Sequence, residues 1–255
     1  MNQNMMIMKE AMLNHRSIRN YKNDPVSDSI LREILQAGTR ASTTGNMQVY
    51  SIIVTKDSSL KNRLWEVHFK QNMVLQAPLI LTFCADFNRF NIWCRQRKAD
   101  PGYDNFLSFF TAATDALLAA QNCALAAEYE GLGICYLGTT TYNADKIIDI
   151  LELPRFVVPV TTLAVGYPAD CPELTDRLPV EAVLHDEKYR NYTPQDIDRL
   201  YRDKESLALT AQLLEENKLE TLAQIFTDKR YTRKDNEFFS EKYLEVIRRQ
   251  GFMGK

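Results

Sequence analysis

The sequence predicts an α+β fold, and three observations predict it. Apolar runs of strand character recur along the first two thirds of the chain. Helical patterns lie between them without strict alternation. Beyond about Pro172 the β-branched runs fade and a charged, helical tail follows. Strict strand–helix alternation would instead have pointed to a doubly wound parallel sheet.

Taken in order, Asp28 to Gly38 places Ile30, Leu31, Ile34 and Leu35 at helical spacing and closes on glycine, which predicts a short helix. Arg40 to Asn46 follows as a polar, glycine-containing loop. Val49 to Thr55 is rich in β-branched and apolar residues, so a strand buried on both faces is expected. Leu79 to Ala85 repeats that character, with Pro78 marking its start. Ile134 to Leu137 and Val157 to Val165 are the further strand candidates.

Between these strands the most hydrophobic helix is predicted over Asn105 to Glu130. Its Phe106, Phe109, Phe110, Ala113, Leu117, Ala120, Ala124 and Ala127 form a broad apolar face. Small residues on such a face admit a close neighbour, so this helix is expected to be a central packing element or a subunit contact. A shorter helix is predicted from Ala144 to Leu151. In the tail, Tyr192 to Asn217 and Glu237 to Gln250 read as amphipathic helices, joined through a charged, mobile connection at Asp228 to Asp235. The expected organisation is a main domain over residues 1–190 and a helical extension over 191–255, packed on that domain or on a partner subunit.

With 31 basic against 33 acidic residues the formal charge is -2. No whole-chain attraction to nucleic acid or anionic lipid follows, so any anion site must be local. Cys84, Cys94, Cys123, Cys135 and Cys171 show no CxxC spacing, which argues against a zinc site or a disulfide framework. Each reads as a small buried hydrophobe. The opening MNQNMMIM lacks the pattern of a signal peptide, and no stretch reaches the length of a membrane span. A cytoplasmic protein is expected.

Four segments carry polar groups suited to a ligand. His15, Arg16, Ser17 and Arg19 set two guanidinium forks and a hydroxyl within five residues, a pattern able to grip phosphate. Ser42, Thr43, Thr44 and Asn46 lie in a hydroxyl- and amide-rich loop just before a strand. Gly131 to Thr139 joins the long helix to a strand through glycines that permit close backbone approach. Gly166 to Asp170 turns the chain out of the last strand toward Arg177. Each alone is a weak signal; a basic run is as often a solvated helix end.

Together, in this order, HRSIRNY, ASTTGNMQ, FCADFNR (Phe83 to Arg89), AAEYEGLGICYLG, VGYPAD and DRLP resemble the FMN-dependent nitroreductase family, and most closely its larger oxygen-insensitive nitroreductases and NADPH-flavin reductases. The likeness runs from about residue 10 to about 190. It implies a central mixed sheet flanked by helices, in an intertwined homodimer with FMN at the subunit interface. In that likeness Arg16 takes the phosphate, Ser17 the ribityl chain and Arg19 the pyrimidine edge, with His15 on the same wall. Ser42, Thr43, Thr44 and Asn46 match the loop given by the opposite subunit. Gln71 matches a glutamine that contacts the flavin. Tyr136, Leu137, Gly138 and Thr139 match the segment behind the ring, whose backbone amides face N5 and O4. Arg177 matches a second phosphate cation.

The chain also departs from this pattern. Thr175 stands where a lysine is usual, Thr139 where a second glycine is common, and Glu241 near the place of a pocket arginine. The arginine-rich loop for the extra phosphate of NADPH is missing; Lys229, Arg230, Arg233 and Lys234 could replace it but read better as solvated surface. The resemblance implies an enzyme that moves electrons from NADPH or NADH through FMN to nitroaromatic, quinone or flavin acceptors, in ping-pong order. No side-chain nucleophile is needed; Arg19 would give electrostatic support. A flavin reductase releasing reduced FMN and a non-catalytic FMN-binding protein stay open as alternatives.

Overall fold

The structure, a computed structural model, describes residues 9–254. The chain forms two compact units. One runs up to Glu173 and resumes at Phe239; the other is Leu174–Phe238. These boundaries differ from the division expected at residue 190.

In the first unit, α1 (Asp28–Thr39) leads through a 3-10 turn (Thr44–Asn46) into β1 (Tyr50–Thr55). Then come α2 (Ser58–Val67), α3 (Met73–Gln76), β2 (Leu79–Asp86), α4 (Asn88–Gln96) and α5 (Phe106–Tyr129). β3 (Gly133–Tyr136), α6 (Thr139–Tyr142), α7 (Ala144–Leu151) and β4 (Val157–Gly166) complete it. The second unit holds α8 (Pro194–Glu205), α9 (Ala208–Asn217), α10 (Leu222–Gln224) and a π-helical turn (Ile225–Arg230). α11 (Arg233–Arg249) begins there, and its residues from Phe239 onward belong to the first unit.

The four strands lie in the order β1-β2-β4-β3 and every pair is antiparallel. Ser17 adds a parallel bridge to Ile134 beside β3, so the sheet is mixed at that edge. All eight residues of β2 are buried, as its unbroken apolar run predicts. β1 does not follow the same expectation: only Tyr50 and Thr55 are buried and the four residues between are half-buried. It has a neighbour on one side only, and an edge strand is less covered than a central one.

Helix α5 packs across the sheet with its small residues inward. Ala112, Ala116, Ala119, Ala120, Ala124 and Ala127 are buried. α1 lies so close that a Cβ added at Gly38 would fall 2.3 Å from Cys123 Sγ. The predicted apolar face is therefore divided. Phe109, Ala113, Ala120, Ala124 and Ala127 are in the core, whereas Phe106, Phe110 and Leu117 are 49%, 59% and 48% exposed. Small side chains allow the helix to sit low on the sheet, and the large ones are left on the outer side. On the opposite sheet face Leu64 and Val67 of α2, Val74 of α3 and Ile147 of α7 close a second core cluster.

Two further expectations change. Cys84, Cys94, Cys123 and Cys135 are buried, but Cys171 is exposed. Burial raises the Cys84 thiol and pushes Cys123 up to about 12. Asp228 to Asp235 is not a loop: the π-helical turn runs through Arg230, and Thr232 Oγ1 caps α11 by accepting from Asp235 N at 3.1 Å. Among the described residues no helix is long and apolar enough to cross a membrane.

Candidate functional site

The segment 15–19 is laid along β3 by backbone pairing. Ile18 N–H donates to Ile134 O at 2.9 Å, and the Tyr21 hydroxyl donates to Ile18 O at 2.7 Å with Ala164 O at 3.1 Å. This approach requires Gly133, because a Cβ there would lie 2.5 Å from Ile18 Cγ1 and 2.7 Å from Ile18 Cβ. His15 Nδ1 pairs with Glu128 Oε1 at 2.5 Å, from the last turn of α5. The Cys135 thiol lies beside Ser17, which pairs across to Ile134. Burial raises that thiol, while Arg19 and Ser17 partly offset the rise.

Arg16 is anchored on one side. Its Nε donates to Asn14 O at 3.2 Å, and Nη1 reaches Pro172 O at 2.9 Å and Cys171 Sγ at 3.1 Å. A guanidinium carries five N–H groups, so the two hydrogens of Nη2 remain for an incoming acceptor. Arg19 is exposed and its charge acts on Tyr21 and Cys135. Arg16 and Arg19 thus bring two guanidinium groups to this segment of a chain of net charge -2.

Past β3, Leu137 N–H is taken by Thr162 O at 2.8 Å. That overturns part of the expectation for this segment, since the Leu137 amide is not available to a ligand. The Gly138 and Thr139 amides have no backbone acceptor among the described residues. A Cβ added at Gly138 would meet nothing within 4 Å, so open space adjoins those two amides. Tyr136 stands at the end of β3 with its hydroxyl 3.3 Å from Gln121 Oε1, and burial raises its phenol.

Gln71 and Thr139 come together, with a partner the sequence did not single out. Gln71 Nε2 donates to His68 O at 3.0 Å and lies 3.4 Å from Thr139 Oγ1. Thr139 Oγ1 is 2.8 Å from His68 Nδ1. His68 is fully buried, and desolvation pulls its pKa down to about 4, so the ring is neutral at physiological pH.

The loop Ser42–Gln48 is built from its own chain. Asp115, buried in the middle of α5, accepts from Thr43 Oγ1 at 2.5 Å, Thr44 N at 3.0 Å, Thr44 Oγ1 at 3.3 Å and Val49 N at 3.4 Å. Arg89 braces it from the other side by donating to Gln48 O. Asp86 holds Arg89 in position, since its carboxylate accepts from Asn88 N at 2.8 Å and Arg89 N at 3.4 Å. The FCADFNR motif thus serves this loop structurally. Gly45, Asn46 and Gln48 have φ of 55°, 57° and 48°, and Ser42, Thr44 and Asn46 are exposed. Among the described residues no hydrogen bond joins this loop to residues 15–19 or 136–139.

Arg177 belongs to the second unit, where it is exposed and donates to Thr175 O at 3.3 Å and Asp176 O at 2.9 Å. Lys229, Arg230, Arg233 and Lys234 are exposed. Asp115, Glu128, His68 and Arg89 were not among the candidate site residues, although Glu128 and Arg89 lie in the AAEYEGLGICYLG and FCADFNR motifs. A signal existed for two of them: Asp115 and Glu128 are the only charged residues in the 24-residue α5.

The donor set fits an acceptor-rich ligand that carries an anionic group. Two cationic forks lie along one edge, and two amides adjoin open space at Gly138. Comparison with known proteins gives the same class. The model described as Nitroreductase family matches residues 12–167. The chain is 36% identical over 187 residues to an FMN reductase (NAD(P)H) of Bacillus subtilis strain 168, covering 71% of this chain and 74% of that protein. It is 35% identical over 199 residues to the oxygen-insensitive NADPH nitroreductase of Salmonella typhimurium, covering 78% and 80%. A solved structure of a candidate oxidoreductase from Bacteroides fragilis superposes with a TM-score of 0.94 at 54% identity, over 96% of this chain and 99% of that one.

Proposed function

The chain belongs to the nitroreductase family, and from that premise we propose that it is an FMN-dependent oxidoreductase. It takes electrons from NADPH or NADH and passes them to nitroaromatic, quinone or flavin acceptors. The observation that supports this most is the donor set along β3: Arg16 Nη2, Arg19 and the Gly138 and Thr139 amides beside open space. Bound FMN supplies the hydride chemistry at its ring.

The chain's own residues bind and tune. Arg16 holds the phosphate from a guanidinium already fixed by Pro172 O and Asn14 O, so little side-chain entropy is lost on binding. Ser17 meets the ribityl chain, and His15, oriented by Glu128, closes the wall. Arg19 would hold the pyrimidine edge of the flavin and supply fixed positive charge there. Tyr136 and Leu137 shape the back of the slot. Donor and acceptor use one slot in turn, which makes the order ping-pong.

The working form is a homodimer. Exposed Phe106, Phe110, Leu117 and Leu118 on α5 are the kind of apolar surface a second copy covers. The pre-built Ser42–Asn46 loop, unattached to the 15–19 wall, is then given to the partner's flavin. The cytoplasm is the compartment, and the second unit, Leu174–Phe238, is an accessory to the first.

Purification of a yellow dimer with one FMN per protomer, turning over a quinone or nitroaromatic with NAD(P)H, is the expected result. A colourless protein that takes up no FMN on reconstitution overturns it. A second reading, release of reduced FMN to another acceptor, is favoured by Thr175 in place of a lysine. Turnover that depends on added FMN distinguishes the two.

A further inference from the structure

Between α2 and α3 the chain reverses on itself. Phe69 and Lys70 both adopt left-handed backbone, with φ of 54° and 56°. The turn sends His68 into the core and brings Gln71 back, so that both its backbone N–H (3.3 Å) and its side-chain Nε2 (3.0 Å) donate to the same His68 carbonyl. This contact fixes which end of the amide is which. An amide oxygen placed 3.0 Å from a carbonyl oxygen would be repelled, so the group facing His68 O is the NH2.

The second hydrogen of that NH2 faces Thr139 Oγ1 at 3.4 Å. Thr139 Oγ1 is itself held 2.8 Å from His68 Nδ1, on a ring with no exposure to solvent. His68 Nε2 has no hydrogen-bond partner among the described residues, so Thr139 is the only one the ring's nitrogens find there. With both donors of Gln71 turned inward, its carbonyl oxygen Oε1 is the group left to face a ligand.

We propose that Thr139 and His68 are positioning residues that lock the Gln71 amide with only its carbonyl oxygen available, so this edge of the site selects a ring N–H and not a ring carbonyl. The inference rests on the FMN reading above. On the pyrimidine edge of a flavin, N3–H is the donor present in both oxidised and reduced rings. It lies on the pyrimidine edge given to Arg19, next to the O4 that the resemblance gives to the Gly138–Thr139 amides. Gln71 Oε1 is its partner. A residue without a hydroxyl at 139 removes the inward acceptor and leaves the amide free to turn.

The test uses full-length protein loaded with 15N-labelled FMN, with the N3–H resonance read by NMR and FMN affinity read by fluorescence quenching. Wild type and Thr139→Ser should show a protected, downfield-shifted N3–H. Thr139→Val should lose that protection and bind FMN roughly 3- to 10-fold more weakly, the loss of about one hydrogen bond. Thr139→Ala serves in the same way should the valine variant fail to fold. An N3–H signal and affinity unchanged in a folded Thr139→Val or Thr139→Ala protein overturns the proposal. Absence of FMN uptake by the wild type refutes the cofactor reading itself, and the inference falls with it.

Discussion

Replacing Asp115 should detach the loop that carries Ser42, Thr43, Thr44 and Asn46 from helix α5. In Asp115→Ala the carboxylate's four donors lose their acceptor. Val49 is fully buried and Thr43 partly so, while Thr44 is exposed. A buried donor left unsatisfied costs about 1–3 kcal/mol, and one that water can reach costs much less. Val49 N–H and Thr43 O–H therefore dominate, for roughly 3–4 kcal/mol in all. Asp115→Asn is milder. The amide can keep its oxygen toward Val49 N–H and Thr43, turning its NH2 toward the exposed Thr44 N–H, for about 1–2 kcal/mol. At roughly 2–4 °C per kcal/mol for a chain near this size, thermal unfolding should fall about 3–6 °C for Asn and about twice that or more for Ala. On the proposed reading, in which the loop serves the flavin site, both variants should also bind FMN more weakly. If Asp115→Ala melts within a degree or two of wild type, the carboxylate does not brace the loop and the reasoning fails.

Three other outcomes follow from the same geometry. Gly133→Ala forces Ile18 off β3, because the new Cβ has no room beside Ile18 Cγ1 and Cβ; about 1–3 kcal/mol of stability and most of the flavin retention should be lost, as read by differential scanning fluorimetry and absorbance, and a variant that melts and holds flavin like wild type would refute the close approach. Arg19→Ala removes the exposed cation and should weaken FMN binding about tenfold while making the bound flavin harder to reduce; a potential and affinity equal to wild type would remove Arg19 from this role. His68, with its pKa lowered from 6.5 to about 4, gives a pH signature. The unfolded chain takes up the proton first, so its contribution is whole above pH 6.5 and is lost as pH falls toward 4, about 3 kcal/mol in total. Urea unfolding of wild type and His68→Asn between pH 7.5 and 4.5 should show the gap between them narrowing with acidity; a constant gap contradicts the assignment.

The strands β2 and β4 and the helices α5 and α7 were legible because long apolar runs and clean helical periods leave few alternatives. α2, α3 and α4 were not. α2 and α4 are short and carry polar residues such as Asn62, Arg63 and Arg95, so their apolar positions are too few to stand out, and α3 is a single turn of four residues. β1 read as doubly buried because Ile52 to Val54 look the same in an edge strand as in a central one. Phe106 and Phe110 show the same limit, since periodicity marks an apolar face but not what covers it. In the site, the Arg16–Arg19 run and the Gly133 approach were readable from residue type. The Gln71–Thr139–His68 contact was not. It joins residues separated by about seventy positions, through a turn of left-handed Phe69 and Lys70 that nothing in their side chains announces.

Anaerobic stopped-flow reduction of the purified, FMN-loaded protein by NADPH and by NADH separately is the most direct test that this fold moves electrons through a flavin. Bleaching of the bound flavin by at least one donor, followed by recovery of its absorbance on mixing with a quinone or nitroaromatic, is the predicted result. A loaded flavin that neither donor reduces would contradict catalysis and leave only a flavin-binding protein.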